Sequence, residues 1–237
     1  MSKEQFLYPE SKQVWKHLET ASARSHHNTR QVFEDFLEMA VCSLAGGTME
    51  DDYMQIVPRY AEGEKGHRAI DSFPIALGTL IEGMEKTRKD ILGDLFQGGV
   101  TFGENGQFFT PEHLCEMMAQ MEISPEDSGK RIFDPACGSG RTLLAAADIA
   151  PQNEFYGQDI DIRCVRMTAI NLALRNLYGY VIWGNSLADE RRLVFRTGFN
   201  GKGVIEKITP EEHPEPVREI IERPPEPQKS GRQLALF

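Results

Sequence analysis

Between residues 131 and 187, short apolar runs alternate with helical stretches, and each apolar run ends in a polar turn. Arg131-Ile132-Phe133 stops at Asp134 and passes through PACGSG into RTLLAAADIA. Glu154 to Gln158 stops at Asp159, and a helix is predicted from Arg163 to Leu177. Tyr180 to Trp183 stops in Gly184-Asn185-Ser186-Leu187. Strands alternating with helices of about 12 residues require parallel pairing through right-handed crossovers. The pattern predicts half of a doubly wound α/β sheet. In such sheets ligands bind at the carboxyl ends of the strands.

The flanks read differently. Residues 1–98 are predicted helical. Val32, Phe33, Phe36, Leu37, Ala40 and Val41 repeat with helical period between Asn28 and Leu44. Asn28 or Thr29 suits the N-cap, and Gly46-Gly47 the end. A second helix is expected from Met49 to about Tyr60. A third is expected from Ile70 to about Phe96, with Ile75, Leu77, Leu80, Ile81 and Met84 near its core face and Pro74 close to its start or at a break. His26-His27 lies in a polar stretch with no ligand spacing. GGVTFGENGQ (residues 98–107) is a glycine-rich loop. Thr110 then suits an N-cap and Pro111 a first helical position, with Leu114, Met117, Met118 and Met121 expected as core filling. After Leu187 the alternation stops. Leu193–Arg196 and Val204–Ile208 flank Asn200-Gly201, a hairpin signal. Residues 209–237 hold six prolines and many charges and are expected to form a disordered tail. Four units follow: 1–98, 99–187, 188–208 and 209–237.

The net charge is −10, and the chain has no basic half: even residues 188–237 carry nine charges of each sign. Gripping nucleic acid by bulk charge is therefore disfavoured. Cys42, Cys115, Cys137 and Cys164 form no CxxC pair and read as reduced thiols, with no metal site. No apolar run is long enough to span a membrane, and the first residues lack a signal sequence, so a cytoplasmic location is expected.

The chemistry gathers at the three strand ends. In Asp134-Pro135-Ala136-Cys137-Gly138-Ser139-Gly140, Gly138 and Gly140 permit close approach of a ligand to the backbone. Asp159 follows about 20 residues later, where a ribose-binding acid belongs. Asn185 offers a side-chain amide to a base edge. A dinucleotide calls for G-x-G-x-x-G, and the third glycine is missing here. Asp134 beside the turn repels a phosphate and suits an ammonium group, so S-adenosylmethionine fits better.

GQFFTP (Gly106–Pro111), DPACGSG (Asp134–Gly140), YGQDID (Tyr156–Asp161) and GNSL (Gly184–Leu187), in that order, resemble the N6-adenine DNA methyltransferases. Within that family the pattern is similar to the modification subunits of type I restriction systems and to similar stand-alone enzymes. DILGDLF (Asp90–Phe96) is similar to the leader before their methylase core. The resemblance implies an α/β fold: a helical N-terminal region, then a partial Rossmann-like sheet of the class I methyltransferase type, then the hairpin and tail. It implies that Thr110, with Phe108 beside it, contacts the methionine end of S-adenosylmethionine. Asp134, Ala136, Gly138 and Gly140 line the amino acid portion, Asp159 holds the ribose hydroxyls, and Ile160 packs on the adenine. Asn185 stands where the family usually has an aspartate, and it still offers both an acceptor and a donor.

The family's catalytic (N/D/S)PP(Y/F) tetrapeptide does not occur in the sequence. The only Pro-Pro pair, Pro224-Pro225, lies between Arg223 and Glu226. No catalytic residue is assigned. Three readings follow: an incomplete methyltransferase serving as a DNA-associated accessory, a working part whose base pocket comes from a partner subunit, or an interaction module with a vestigial turn. The open side of the first strand is expected to be covered by the hairpin, the N-terminal helices or a second copy. Gln233-Leu234-Ala235-Leu236-Phe237 resembles the QLxLF peptide with which bacterial DNA polymerases and repair proteins bind the sliding clamp. Gln233, Leu234, Leu236 and Phe237 are the implied contacts.

Overall fold

The computed structural model describes residues 5–100 and 109–213. Five helices come first: α1 (Pro9–Ala23), α2 (Thr29–Leu44), α3 (Glu50–Ile56), α4 (Ser72–Thr87) and α5 (Ile91–Leu95), the last running into a π-turn at Phe96–Val100. The Asn28 side chain caps α2 by accepting from the Gln31 amide at 2.9 Å. α1 lies in the region expected to be helical, although the sequence reading assigns it no span. Its polar composition hides the stripe Ser11, Val14, Trp15, Leu18 and Ala21, which packs on α4.

Two core faces differ from expectation. The third predicted helix is broken by Arg88, which is left-handed, and Asp90 restarts the chain as α5. Within α4 the buried residues are Ser72, Phe73, Ala76, Leu80, Gly83 and Met84, while Ile75 and Ile81 face solvent. α6 (Glu112–Glu122) has Pro111 as its N-cap, and the buried residues are Cys115 and Ala119. Leu114, Met117, Met118 and Met121 are all exposed, Met121 to 75%. The neighbouring helix decides this. α6 packs on α7 (Arg141–Ile149) through Cys115, Ala119, Ala145 and Ile149, and small side chains allow the closer approach.

The sheet has the order β1-β2-β3-β4-β5. β1 (Arg131–Asp134), β2 (Glu154–Asp159) and β3 (Gly179–Trp183) are parallel, with α7 and α8 (Ile162–Leu174) as crossovers. β4 (Leu193–Thr197) runs antiparallel to β3, and β5 (Ile205–Ile208) antiparallel to β4. The expected hairpin therefore exists, but it extends the sheet beyond β3 and does not cover β1. Its connection to β3 is too short for a crossover, so antiparallel pairing next to β3 is the accessible solution. Among the described residues β1 is an edge strand, and Phe133 on it is 52% exposed.

One buried cluster runs from the helical region through α7 and α8 to Phe195 and Ile205 of the hairpin. Arg163 and Arg166, one turn apart on α8, pair with Glu34 and Glu38 of α2 at 3.2 and 2.8 Å. The Val204 amide donates to the Leu44 carbonyl at 2.9 Å, seating the hairpin loop on the end of α2. The opposite face of the sheet carries Tyr156, Tyr180, Ile182 and Val194. Thr209–His213, expected as the start of the tail, fold onto that face, where the His213 ring meets the Tyr156 and Tyr180 rings edge-on. No helix among the described residues is long and apolar enough to cross a membrane.

Candidate functional site

The carboxyl ends of β1, β2 and β3 lie side by side, because parallel register places Asp134 opposite Gly157 and Asp159 opposite Trp183. The turn after β1 is held from all sides. The Cys137 amide donates to the Gln158 carbonyl at 3.0 Å, and the Gly140 amide to the Cys137 carbonyl at 2.7 Å. The Thr168 hydroxyl of α8 donates to the Gly138 carbonyl at 2.9 Å, and Asn171 Nδ2 to the Ser139 carbonyl at 2.8 Å. Gly138 and Gly140 have φ of +56° and +85°. A Cβ on Gly138 would lie 2.8 Å from the Phe109 ring, and one on Gly140 2.9 Å from Thr168 Cγ2. Both glycines are thus required by conformation and by close packing.

A cavity of about 70 Å³ sits at this turn, lined by Thr110, Asp134, Ala136, Gly138 and Arg141 among others. Four of the residues singled out in the sequence meet there. Asp134 accepts from the Ala136 amide at 3.0 Å and from the Thr142 hydroxyl. Asp159 lies next to them rather than in the cavity: its Oδ2 accepts from the Gly138 amide and its Oδ1 from the Asp161 amide, each at 2.9 Å. One carboxylate thereby ties the β1 and β2 turns together. Burial pushes the Asp159 carboxyl above the ordinary aspartate range; its two amide donors oppose the rise, and Asp161 and Asp134 add to it. Ile160 and Asn185 do not line the cavity. Ile160 is 62% exposed at the end of β2. Asn185 Oδ1 accepts from the Leu187 amide at 3.0 Å, capping a short turn after β3. Phe108, and with it the first part of GQFFTP, lies outside the described residues, as do Gln233, Leu234, Leu236 and Phe237.

A second cleft of about 680 Å³ adjoins the first and shares Phe109 and Arg141 with it. Its wall includes Tyr8, Lys89 and Glu112. Glu112 accepts from the Tyr8 hydroxyl at 2.7 Å and from Lys89 at 2.6 Å. Burial pushes the Glu112 carboxyl up, but Lys89 and the Tyr8 hydroxyl outweigh it and hold the group below its usual range. Asp90, Arg141 and Asn171 were missed in the sequence. Asp90 carried a usable signal, a cap-type residue just before an apolar helical run. The other two are visible only once α7 and α8 stand beside the turn.

The acceptors present suit the ammonium and hydroxyl groups of an amino acid attached to a nucleoside. Asp134 offers a carboxylate beside the small cavity, and Asp159, a carboxylate with two amide donors, still has free lone pairs for hydroxyl groups.

Three parallel strands with a glycine turn, a cavity-facing acid at the end of β1 and a bridging acid at the end of β2 are the features that the sequence resemblance implied for a class I methyltransferase type of fold. Residues 88–198, a little under half of the chain, match the family model described as N-6 DNA Methylase. The type I restriction enzyme MpnII methylase subunit of Mycoplasma pneumoniae is 28% identical over 108 residues, 41% of this chain and 20% of that protein. The MjaIX methylase subunit of Methanocaldococcus jannaschii is 32% identical over 122 residues, 46% of this chain and 21% of that protein. The chain thus spans about a fifth of the length of these curated relatives. Among solved structures, the type I restriction-modification methyltransferase subunit from Streptococcus thermophilus aligns with a TM-score of 0.39 at 15% identity, covering 73% of this chain and 57% of that one.

Proposed function

We propose that the chain binds S-adenosylmethionine across the ends of β1, β2 and β3, and that by itself it is a catalytically incomplete, N6-adenine DNA methyltransferase-like protein acting as a DNA-associated accessory. The observation that carries the reading is the convergence of Thr110, Asp134, Ala136 and Gly138 on one small cavity, with Asp159 bonded to the same turn. In this reading Asp134 receives the ammonium group and Asp159 accepts from the ribose hydroxyls. The exposed Ile160 gives the adenine an apolar surface, and Asn185 meets its edge. The cofactor, when bound, supplies an electrophilic methyl group. The residues of this chain bind and orient it. Incompleteness rests on the missing tetrapeptide, which elsewhere stacks on a flipped base.

Calorimetric titration with S-adenosylmethionine and S-adenosylhomocysteine tests the site; absence of heat at millimolar ligand removes it and favours the interaction module. The purified chain is expected to transfer no labelled methyl group to DNA. Transfer that disappears in Asp134→Ala would refute incompleteness.

A second reading is favoured by the edge position of β1 and the exposed Phe133. Here a partner methyltransferase subunit or a second copy seats at that edge and completes a base pocket. Methylation that appears only on mixing the chain with such a subunit would establish it.

Association with DNA is proposed to be indirect, through the sliding clamp and Gln233, Leu234, Leu236 and Phe237. Apolar anchors beside a polar contact are what a hydrophobic cleft selects. Equal clamp binding by the full chain and by a variant lacking residues 233–237 would end this proposal.

A further inference from the structure

Asp90 is 3% exposed, and its carboxylate joins four segments. Oδ1 accepts from the Gly93 amide of its own helix α5 and from Asn171 Nδ2 of α8, each at 2.9 Å. Oδ2 accepts from the Ser139 hydroxyl in the glycine turn at 2.5 Å and from Arg141 Nε of α7 at 3.1 Å. Arg141, itself buried, then donates through Nη1 to the Thr110 carbonyl at 3.1 Å. Capping α5 needs only one oxygen. The other is committed to the turn and to the arginine that holds Thr110.

Stability alone does not account for this arrangement. A buried ion pair loses much of its Coulomb energy to desolvation, and an apolar replacement of similar volume is often as stable. What such a network supplies is fixed geometry where its members are bonded. Here every Asp90 oxygen is engaged, while Arg141 Nη2, 3.0 Å from Asp90 Oδ2 in the ion pair, and Asn171 Oδ1 lack a hydrogen-bond partner of their own among the described residues. Every partner of Asp90 outside α5 either belongs to the cavity wall or holds a residue of it: Ser139 and Arg141 line the cavity directly, and Asn171 holds the Ser139 carbonyl. From the other side, Tyr8 and Lys89 hold Glu112, two residues beyond Thr110. Two further amides of the N-terminal stretch, those of Leu7 and Tyr8, donate to the buried Asp94, again on α5.

We infer that Asp90 is a positioning residue: through Ser139 and Arg141 it sets the spacing between the glycine turn and Thr110, so that the helical region determines affinity for the amino acid end of the cofactor. This rests on the proposed S-adenosylmethionine site.

The test uses the full chain and three variants. Asp90→Asn retains the volume but sets an amide group against Ser139 and Arg141. It is expected to weaken S-adenosylmethionine binding by about tenfold, the scale set by losing a hydrogen bond to a charged group. Asp90→Asn combined with Arg141→Met removes the buried charge altogether. It is expected to regain thermal stability without regaining affinity, whereas a merely structural role would restore both. Ser139→Ala, a smaller change, keeps the test open if Asp90→Asn does not fold, and is expected to lose affinity with little loss of melting temperature. Hydrogen exchange without ligand should quicken at the amides of 136–140 and 112–115 in each variant. Wild-type binding that Asp90→Asn and Ser139→Ala leave within about twofold would overturn the inference, as would affinity restored in the double variant. A wild-type chain that binds nothing instead removes the cofactor reading, and unchanged exchange in the variants would then overturn the bracing as well.

Discussion

At the scale of single residues, two ionisable groups make opposite claims on pH. Asp159 has its pKa raised by burial, above the 3.8 of an ordinary aspartate. Its ionised form is the better acceptor for ribose hydroxyls. Cofactor affinity is therefore expected to be full at neutral pH and to fall on acidification at a pH above that of a free carboxylate. Asp159→Ala should bind weakly with no such step, and a wild-type affinity that stays flat down to pH 4 would argue against the assignment. In the absence of ligand, this raised pKa makes protonation favour the fold. His213 works the other way. Burial, then Arg191 and Arg131, push its imidazole down from 6.5 to about 4. A group depressed in the folded state stabilises above its unfolded pKa, and that stability is lost as pH falls through the folded value. Between pH 7 and 4 the loss is on the order of 3 kcal/mol. Urea melts of wild type and His213→Phe over that range check it: the variant should show a flatter profile, and parallel profiles would sink the claim.

Among the elements, α2 shows how local chemistry and tertiary contact combine. Its Asn28 cap satisfies the Gln31 amide, so Asn28→Ala is expected to cost about 1 kcal/mol in equilibrium unfolding. A change below a few tenths would mean that the helix start is fixed by packing instead. α6 shows the reverse, since its four largest apolar side chains point away from the core. The small residues Cys115 and Ala119 face α7, so the face with less apolar area is the buried one.

For the whole molecule, the cluster joining α1–α5, α7, α8 and the hairpin predicts one cooperative unfolding transition. Phe195→Ala, at a buried position in β4, should cost about 3–5 kcal/mol. It should shift the melting of the helical region together with that of the sheet. Tryptophan fluorescence reports both, because Trp15 sits in α1 and Trp183 in β3. Two separated transitions would show that the halves fold independently.

The sequence by itself determined the three parallel strands, their crossover helices, the glycine turn and the acids at the strand ends. These depend on local period, on turn residues and on the handedness of crossovers, all of which a short window contains. The start and end of α2 were legible for the same reason, as was the existence of the hairpin. Only the tertiary structure decided which face of α4 and α6 is buried, because an apolar stripe states what a helix has to offer, and the neighbouring surface selects what it takes. It also decided that the hairpin joins β3 and leaves β1 at the edge, since strand order depends on the length of a connection and on the surface left free. The link from Asp90 through Ser139 and Arg141 to Thr110 spans about 50 residues of chain, and no window of sequence pattern reaches that far.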